Sequence, residues 1–435
     1  MTPKQLHATV IAMTICVVAP ASAQDRVDPL LMKQIAQIKA IDNHTHAEPA
    51  DPARGNNWRP AAPLGTSRYP DVVPLRRDNP DWIRAWHALY AYPHTNMQTG
   101  NLQRLLETKR QTMRKFGNDW PRHVLDMAGV EVALVNATSL GAGQRNARFR
   151  WVPYADPMLD PFSGDKSALS YTGGPSTINQ LLTEAQVSTL PATLTEYNAR
   201  VVDSTLARWA AEGAVAVKFL AAYARGLDFE STATETADGI YARGVVGQPT
   251  NPSERKMLQD YLFREIAARA GAHRLVVHIH TGNGDGPYFN NTRANPGLLE
   301  AAIGSQPLRK TNFVLLHGGW PFHHTTQAML DKPNTYADFS AQTFYLGTHA
   351  LAEVLRGWLG WHPEKVLFGS DAYSDMDSPL TDYEEKQWLM TDKARKALGI
   401  ALTAMMRDGE ITRERALVIA RMVLRDNAIA LYRLK

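Results

Sequence analysis

The stretch IKAIDNHTH, residues 38–46, is a short apolar run that ends in two histidines, His44 and His46. Residues i and i+2 of a β-strand point to the same face, so this spacing predicts that both imidazoles project in one direction from the end of a strand. Two histidines placed in this way can hold one metal ion. The motif alone is a weak signal, because hydrogen-bonded core or surface histidines have the same spacing.

Further runs along the chain have the apolar, β-branched character of strands that are buried on both faces. Together with 38–46 they give eight predicted strands, the others being 130–137, 148–155, 214–221, 274–281, 312–319, 334–340 and 365–371. Helical patterns follow at 252–271, 347–361 and 412–433. Strands that alternate with helices predict a parallel α/β sheet, and eight of them predict a closed (β/α)₈ TIM barrel.

Two long connections interrupt this alternation, at 47–129 after strand one and at 156–213 after strand three. Connections that follow a barrel strand emerge on the catalytic face, so both insertions are predicted to form a cap over the barrel mouth. The barrel and its insertions are predicted to form one domain, residues 24–435. The first insertion is rich in proline and contains four tryptophans, Trp58, Trp82, Trp86 and Trp120.

Residues 1–23 have the features of a secretory signal peptide. Lys4 supplies a positive start, residues 9–18 form an apolar stretch too short to cross a bilayer, and Ala21-Ser22-Ala23 is a small-x-small cleavage site. A buried first helix would not explain that ending. We expect cleavage before Gln24, a periplasmic or secreted protein, and no membrane association after cleavage.

The composition is that of an ordinary globular protein, with 435 residues, 44% hydrophobic and 21% charged, and a net charge of +4. Basic and acidic residues are interspersed, so we expect no binding to nucleic acid. Cys16, the only cysteine, lies in the predicted signal peptide, and the mature chain would therefore lack disulfides and thiolate metal ligands. The sequence leaves open whether the chain forms a homo-oligomer.

Polar residues stand at corresponding ends of other predicted strands: His278 and His280 on strand five, His317 on strand six, Asp371 on strand eight and Lys218 on strand four. Burial of such groups without partners costs several kcal/mol, of order 2–7 for each neutral polar group. Their shared position on the catalytic face predicts a centre for one or two divalent ions. Nitrogen and oxygen ligands without sulfur suit Zn²⁺, which is the expected ion, and also Mn²⁺, Fe²⁺ and Co²⁺.

This arrangement of His-x-His, lysine, histidines and aspartate resembles the amidohydrolase superfamily. Several phrases are similar to its amidohydrolase-related branch: AVKFLAAYARGLDF (216–229), VVHIHTGNGDG (276–286), LLHGGWPF (315–322), YADFS (336–340) and VLFGSDA (366–372). That branch includes uncharacterised metal-dependent hydrolases, the barrel domain fused to some glutamine synthetase-like proteins, and decarboxylases. The resemblance runs from about residue 38 to the C-terminus and is weak in the two insertions.

The resemblance implies that His44, His46 and Asp371 bind a first metal ion, and that His280 and His317 bind a second. It also implies metal-activated water as the nucleophile and Asp371 as the general base. With only one ion bound, His317 would polarise the substrate.

Two residues of this set have alternative roles. Lys218, if carbamylated by CO₂, would bridge the two ions, and otherwise it would pair with Asp371 or substrate as an unmodified lysine. His278 stands where the family phrase has another residue, about 7 Å deeper along the strand. We therefore expect His278 to be a hydrogen-bonded residue of the barrel interior or a neighbour of the metal ligands.

Four residues just after strand ends are candidates for substrate binding, with packing at the barrel rim as an equal alternative: Tyr223, Arg225, Trp320 and Tyr373. An inward-pointing Arg225 would favour a carboxylate-bearing substrate.

The sequence thus predicts an exported metal-dependent hydrolase that acts on a small molecule with an amide, ester or lactone carbonyl. The alternative is a mononuclear metal-dependent decarboxylase of the same superfamily that acts on an aromatic or enolic acid. A non-catalytic exported binding protein is the third reading, and the complete set of candidate ligands argues against it.

Overall fold

The computed structural model describes residues 27–53, 72–164, 177–286, 288–374 and 378–434. The predicted signal peptide, residues 1–23, and Trp58 of the first insertion lie outside the described residues.

Each of the eight predicted strands is present, although the hydrogen-bonded part is shorter than the predicted run in all of them. All neighbouring strands pair in parallel, as expected for strands joined through helices. The strands are β1 (Ala40–Thr45), β2 (Val130–Asn136), β3 (Phe149–Val152), β4 (Ala216–Phe219), β5 (Val276–His280), β6 (Phe313–Leu316), β7 (Thr335–Asp338) and β8 (Val366–Leu367).

The strands form two runs, β1-β2-β3 and β4-β5-β6-β7-β8, and backbone hydrogen bonds join the runs at both junctions. Between β3 and β4, the N–H of Lys218 donates to the carbonyl of Pro153 at 2.8 Å. Between β8 and β1, the N–H of Asp371 donates to the carbonyl of His44 at 2.8 Å. The predicted (β/α)₈ TIM barrel is confirmed, and the second junction brings a candidate base beside a candidate ligand.

The helices surround the strands and also fill the two insertions. A capping box and a proline in the first turn start the helix Pro252–Ala272, and another capping box at Asp382 and Glu385 starts the helix Tyr383–Arg407. The short π-helical segment Asn198–Asp203 joins the helices Leu194–Tyr197 and Ser204–Ala211, and Met422–Asp426 joins the helices Arg413–Arg421 and Asn427–Tyr432. The α-helices of the described residues are α1 (Pro29–Gln37), α2 (Asp81–Tyr90), α3 (Thr99–Phe116), α4 (Trp120–Ala128), α5 (Ile178–Glu184), α6 (Leu194–Tyr197), α7 (Ser204–Ala211), α8 (Thr234–Val245), α9 (Pro252–Ala272), α10 (Glu300–Ile303), α11 (His323–Met329), α12 (Gln342–Tyr345), α13 (Thr348–Leu359), α14 (Tyr383–Arg407), α15 (Arg413–Arg421) and α16 (Asn427–Tyr432).

The C-terminal helix α16 packs against the inward-facing side chains near the start of the strands. Leu431 and Tyr432 lie in one buried cluster with Ile41, Val276 and Leu367. The interior of the barrel is therefore packed below the site, and the candidate ligands lie above this apolar layer.

The first insertion contributes α2, which packs on α14, α4, which packs on α14 and β2, and α3, which packs on α2 and α4. The indole N–H of Trp86 donates to the carbonyl of Leu380 at 2.7 Å, and Lys109 Nζ donates to the carbonyl of Pro379 at 2.8 Å. The insertion is thereby attached to the segment that follows Asp371 in the chain. The second insertion contributes α5, α6 and α7 to the main apolar core.

Among the helices that the structure describes, none has both the length and the apolar character that crossing a bilayer requires.

Candidate metal centre

Asp371 is the point on which three histidines converge. Its Oδ1 atom lies 3.0 Å from Nε2 of His44 and 3.4 Å from Nε2 of His46. Its Oδ2 atom lies 3.8 Å from Nδ1 of His317. His44, His317 and Asp371 each offer a ligand atom, and these atoms lie within 4.8 Å of one another. The ends of β1, β6 and β8 therefore meet as the sequence pattern predicts.

His280 and Lys218 lie beside this group. The rings of His280 and His317 are 4.6 Å apart, and Nε2 of His280 is a buried atom with no hydrogen-bond partner among the described residues. Lys218 is 1% exposed and pairs in register with His278. Burial lowers the pKa of Lys218 to about 8, against the opposing effect of Asp371. All six predicted ligands thus occupy one end of the barrel.

The hydrogen bonds of two histidines define their tautomers. Nδ1 of His44 lies 2.6 Å from Oδ1 of Asn136, which can only accept, so Nδ1 carries the proton. Nδ1 of His317 lies 2.9 Å from Oγ of Ser340, whose hydroxyl donates to Asp338 Oδ1 at 2.6 Å. His317 must then also donate through Nδ1. In both residues Nε2 is left as a bare lone pair, which is the form that binds metal.

At the contact of His44 with Asp371, two hydrogen-bond acceptors therefore face each other. Burial lowers the pKa of His44 to about 4, so its Nε2 carries no proton at neutral pH, yet it lies close to a carboxylate oxygen. Burial also lowers the pKa of His280 and of His317 well below the usual value. Facing lone pairs at this distance repel each other unless a cation lies between them. The donor set of neutral imidazoles and carboxylate fits a divalent metal ion.

The ionised state of Asp371 follows from its neighbours. Burial acts to raise the pKa of Asp371, whereas positive charge on the imidazoles of His317 and His44 would hold it well below the usual value. Since both imidazoles are neutral at neutral pH, a cation in the centre has to supply that charge for Asp371 to stay an ionised, acceptor-only ligand.

Two candidate residues have left-handed backbones without being glycine, His317 with φ +62° and Asp371 with φ +53°. Such conformations carry strain and persist where surrounding contacts over-determine them. The N–H of His317 is held by Asp338 Oδ1 at 2.8 Å, and the N–H of Asp371 is held by the carbonyl of His44. The strained positions are those that direct a histidine and an aspartate into the centre.

The pairing of β1 with β2 shifts in register between Asp42 and Thr45. Strict alternation would send the adjacent side chains of Asn43 and His44 to opposite faces. Instead, both reach the barrel interior: Asn43 bonds to Asp338 and His44 to Asn136. This irregularity of β1 is a feature that the spacing of the two histidines does not reveal.

Two buried aspartates support the centre and were not singled out from the sequence. Asp338, at the end of β7, holds His317, Ser340 and Asn43. Asp42 accepts from the N–H of Ser370 at 2.9 Å. Burial raises the pKa of both carboxyls to about 6. The sequence feature that could have identified them is an aspartate in or at the end of an apolar run, Asp338 in YADFS and Asp42 in IKAIDNHTH.

Asp42 also links the end of β1 to α14. Its Oδ2 atom accepts from Nε2 of Gln387 at 2.7 Å, and Oε1 of Gln387 accepts from Thr45 Oγ1 at 3.1 Å. These bonds tie the strand that carries the two histidines to the helix that follows Asp371.

The centre opens beside His46, whose side chain is 30% exposed whereas that of His44 is 1% exposed. The hydroxyl of Tyr154 lies 3.5 Å from Nδ1 of His46. Tyr154 stands in register with Lys218 across the junction of β3 and β4. It is a further residue at the entrance that the sequence pattern did not indicate.

Three of the four candidate substrate residues lie at the rim. The ring of Tyr223 is 4.7 Å from that of His280, and its hydroxyl accepts from the N–H of Asp285 at 3.2 Å. Trp320 stacks on Tyr345 with ring centres 5.5 Å apart. Tyr373 is 38% exposed, and its ring lies 3.5 Å from Nζ of Lys386.

Arg225 points toward α9. Its Nη2 atom lies 2.5 Å from Oδ1 of the buried Asp260, and its guanidinium lies 4.3 Å from the ring centre of Phe229. It lines a cleft of about 640 Å³ together with Arg255 and Arg293. The structure therefore places Arg225 in an ion pair with Asp260 of α9. Although Arg225 lies close to Tyr223 in the chain, its guanidinium is directed toward α9 and not toward the candidate metal centre.

A protein-family model described as amidohydrolase matches residues 41–434. The chain is also 28% identical over 232 residues to Protein fluG of Emericella nidulans, a match that covers 51% of this chain and 26% of fluG. The chain thus spans about a quarter of the length of this curated relative.

Solved structures share the fold. A protein of Lactobacillus casei assigned as a metal-dependent hydrolase superposes with a TM-score of 0.62 at 16% identity, over 93% of this chain and 97% of the other. Uronate isomerase of Thermotoga maritima superposes with a TM-score of 0.63 at 14% identity, over 93% of this chain and 96% of the other. At such identities the likeness is one of fold. Because the family model covers nearly the whole chain from β1 to α16, the protein belongs to the amidohydrolase family of metal-dependent TIM-barrel enzymes.

Proposed function

We propose that the protein is an exported hydrolase that uses a metal-activated water on a small molecule with an amide, ester or lactone carbonyl. The observation that carries the proposal is the convergence of His44, His46 and His317 on Asp371, with the bare Nε2 of His44 facing the carboxylate and an opening beside His46. These donors form a ready-made ligand set next to a solvent-accessible edge, where a substrate and a water molecule can approach.

His44, His46 and Asp371 would hold a first ion, and His280 and His317 would hold a second. A divalent ion in such a site lowers the pKa of its water to about 7 and polarises a carbonyl oxygen. Zn²⁺ is our expected ion because the ligands are imidazole and carboxylate.

Lys218 would bridge the two ions as a carbamate. Because burial lowers the pKa of Lys218 to about 8, roughly a tenth of the amine is neutral at pH 7, far more than for an ordinary lysine. The neutral nitrogen is the form that bonds to the carbon of CO₂, with loss of one proton, to give a carbamate anion. An acidic group at Lys218 would add the negative charge that two divalent ions in this barrel require.

Asp371 would act as the general base. Oδ1 faces His44 and His46, whereas Oδ2 lies farther from its nearest imidazole, at 3.8 Å from His317. Oδ2 is therefore the oxygen that has room to take the proton of the attacking water and to return it to the leaving group. With a single ion bound, His317 would polarise the substrate carbonyl.

A mononuclear decarboxylase is the second candidate, and the compactness of one three-residue cluster favours it. In the part of the chain that the structure describes, only His44, His317 and Asp371 bring their ligand atoms within 4.8 Å of one another, as one ion would require. One bound ion together with an unmodified Lys218 would favour decarboxylation, and two ions with a carbamylated Lys218 would favour hydrolysis. A non-catalytic binding protein is less consistent with a complete ligand set.

The test is to purify the protein without chelator, measure its metal content, and assay it against amides, esters, lactones and aromatic acids. His44→Ala should lose metal and activity together. His362→Ala is the matched control, because His362 is a partly exposed residue that pairs with Asp331 and Glu364, away from the centre. Release of CO₂ from an aromatic acid without hydrolysis of any carbonyl substrate would replace the hydrolase with the decarboxylase.

A further inference from the structure

The C-terminal helix reaches the barrel interior through one hydroxyl group. Tyr432, the last residue of α16, is 7% exposed, and its OH lies 2.6 Å from Nε2 of His278. The same hydroxyl hydrogen bonds to Oδ1 of Asn43, on β1. None of these three residues belongs to the proposed ligand set, and the mechanism above uses none of them.

The directions of these hydrogen bonds follow from the donor inventory. The amide NH₂ of Asn43 donates to Oδ2 of Asp338 at 2.7 Å, so Oδ1 of Asn43 is the acceptor that faces Tyr432. The single hydroxyl proton of Tyr432 is used in that bond, and its oxygen must accept from His278. His278 is therefore protonated on Nε2. Its Nδ1 is then a bare lone pair, and that atom has no hydrogen-bond partner in the described part of the chain.

From Asp338 the hydrogen bonds continue to a proposed metal ligand. Oδ1 of Asp338 accepts from the backbone N–H of His317 at 2.8 Å and from Oγ of Ser340 at 2.6 Å. Ser340 Oγ in turn accepts from Nδ1 of His317 at 2.9 Å. The continuous buried path Tyr432–Asn43–Asp338–Ser340–His317, termed the Tyr432 path below, ends on the ring and on the strained backbone of His317.

We propose that Tyr432 is a positioning residue for the metal centre, acting on His317 through Asn43, Asp338 and Ser340. The proposal rests on the metal site of the proposed function. Removal of the hydroxyl leaves the Asn43 carbonyl and the His278 N–H without partners in a buried environment, so that Asn43 is free to reorient. Asp338 then loses a fixed donor, and the tautomer and orientation of His317 lose part of their support.

The expected loss of metal affinity is larger for substitutions that lie nearer to His317 on the Tyr432 path. Changes to groups that directly orient a metal-binding histidine reduce metal affinity by about 10–100-fold, and we expect this of Ser340→Ala. Tyr432→Phe acts through more intermediates, so we expect a smaller loss, roughly 3–10-fold on the same scale. Tyr241→Phe is the matched control, because its buried hydroxyl donates to the carbonyl of Pro191 at 2.9 Å outside the Tyr432 path.

The experiment measures Zn²⁺ affinity by chelator competition and the visible spectrum of the Co²⁺-loaded full-length protein. Tyr432→Phe should weaken affinity and alter the Co²⁺ spectrum, while Tyr241→Phe leaves both unchanged at a similar loss of thermal stability. A double-mutant cycle of Tyr432→Phe with Ser340→Ala should be non-additive. Equal losses of affinity in the two tyrosine variants, or strict additivity in the cycle, would overturn the proposal.

A metal-free measurement separates this proposal from the proposed function. Long-range ¹H–¹⁵N spectra of the apo protein should show His278 protonated on Nε2 and His317 protonated on Nδ1. A wild-type His278 protonated on Nδ1 would overturn the deduced path, even if Tyr432→Phe failed to fold. If the wild-type protein shows the expected tautomers but binds no metal, the proposed metal site is wrong and the deduced hydrogen-bond path stands.

Discussion

Nε2 of His44 lies 3.0 Å from Oδ1 of Asp371, and the His44 imidazole is neutral at neutral pH because burial lowers its pKa to about 4. The proton of His44 is on Nδ1, where Asn136 accepts it. The contact is thus between two electron-pair donors, and its geometry makes sense when both bind the same cation. The consequences of this relationship can be measured.

Asp371→Asn should reduce turnover by at least about 10²–10⁴-fold, because an amide of the same shape offers an oxygen but does not accept a proton. Its metal content should fall less, since the four histidine ligands remain. His44→Ala should lose metal and turnover together. Elemental analysis and steady-state kinetics on both variants give the comparison, and near-normal turnover in metal-loaded Asp371→Asn would show that another group is the base.

The contribution of His44 to the stability of the metal-free protein should fall as the pH drops from about 6.5 to about 4. Burial lowers the pKa of His44 from 6.5 to about 4 in the folded chain, so the unfolded chain binds more protons in that window. The buried carboxyls of Asp42 and Asp338, with pKa raised to about 6, act in the opposite direction. His44→Gln isolates the histidine contribution.

Urea titrations in the presence of a chelator, at several pH values, measure this effect. Between pH 4 and 6.5 the free energy of unfolding of His44→Gln should increase less steeply with pH than that of the wild type. Parallel curves for the two proteins would show that His44 is not buried as a neutral imidazole.

Lys218→Met should reduce the metal content from two ions to one if the lysine bridges them. The same change removes a buried cation whose pKa is lowered to about 8, so the apo protein should become more stable at pH 7. Metal analysis and thermal melting measure the two effects. Intact-protein mass spectrometry under non-denaturing conditions should also detect one added CO₂ in the wild type and none in the variant. An unmodified wild-type lysine with a single bound ion would favour the decarboxylase.

Gly318→Ala should destabilise the protein strongly. Gly318 has φ +52°, and a Cβ there would lie 2.0 Å from Cη2 of Trp358. Gly409→Ala is the matched control, since Gly409 has φ +76° but an added Cβ would meet no atom within 4 Å. The control should cost about 1–2 kcal/mol for its left-handed backbone alone. Chemical denaturation should show a clearly larger loss for Gly318→Ala, and equal losses would mean that the Trp358 contact yields readily.

Export predicts that protein isolated from the native host begins at Gln24. The basis is the positive start, the short apolar stretch and the Ala21-Ser22-Ala23 site. N-terminal mass spectrometry of the cellular protein is the measurement. A mature protein that retains Met1 would rule out cleavage.

The sequence by itself determined the eight strands and which of their ends carry the histidines, the lysine and Asp371. These are local properties, because a strand buried on both faces must be a continuous apolar run, and a polar residue at its end stands out against that run. The type of fold follows from the alternation of such runs with helices.

Only the tertiary structure decided which partners orient the ligands. The hydroxyl of Tyr432 meets Asn43 across 389 positions of sequence, and His44 meets Asn136 across 92. The local sequence around a buried asparagine or tyrosine does not predict its hydrogen-bond partner. The pairing depends on how the closed barrel brings distant strands and α16 together. The orientation of the Arg225 guanidinium is likewise set by its ion pair with Asp260 on α9. The position of Arg225 just after β4 does not predict this contact.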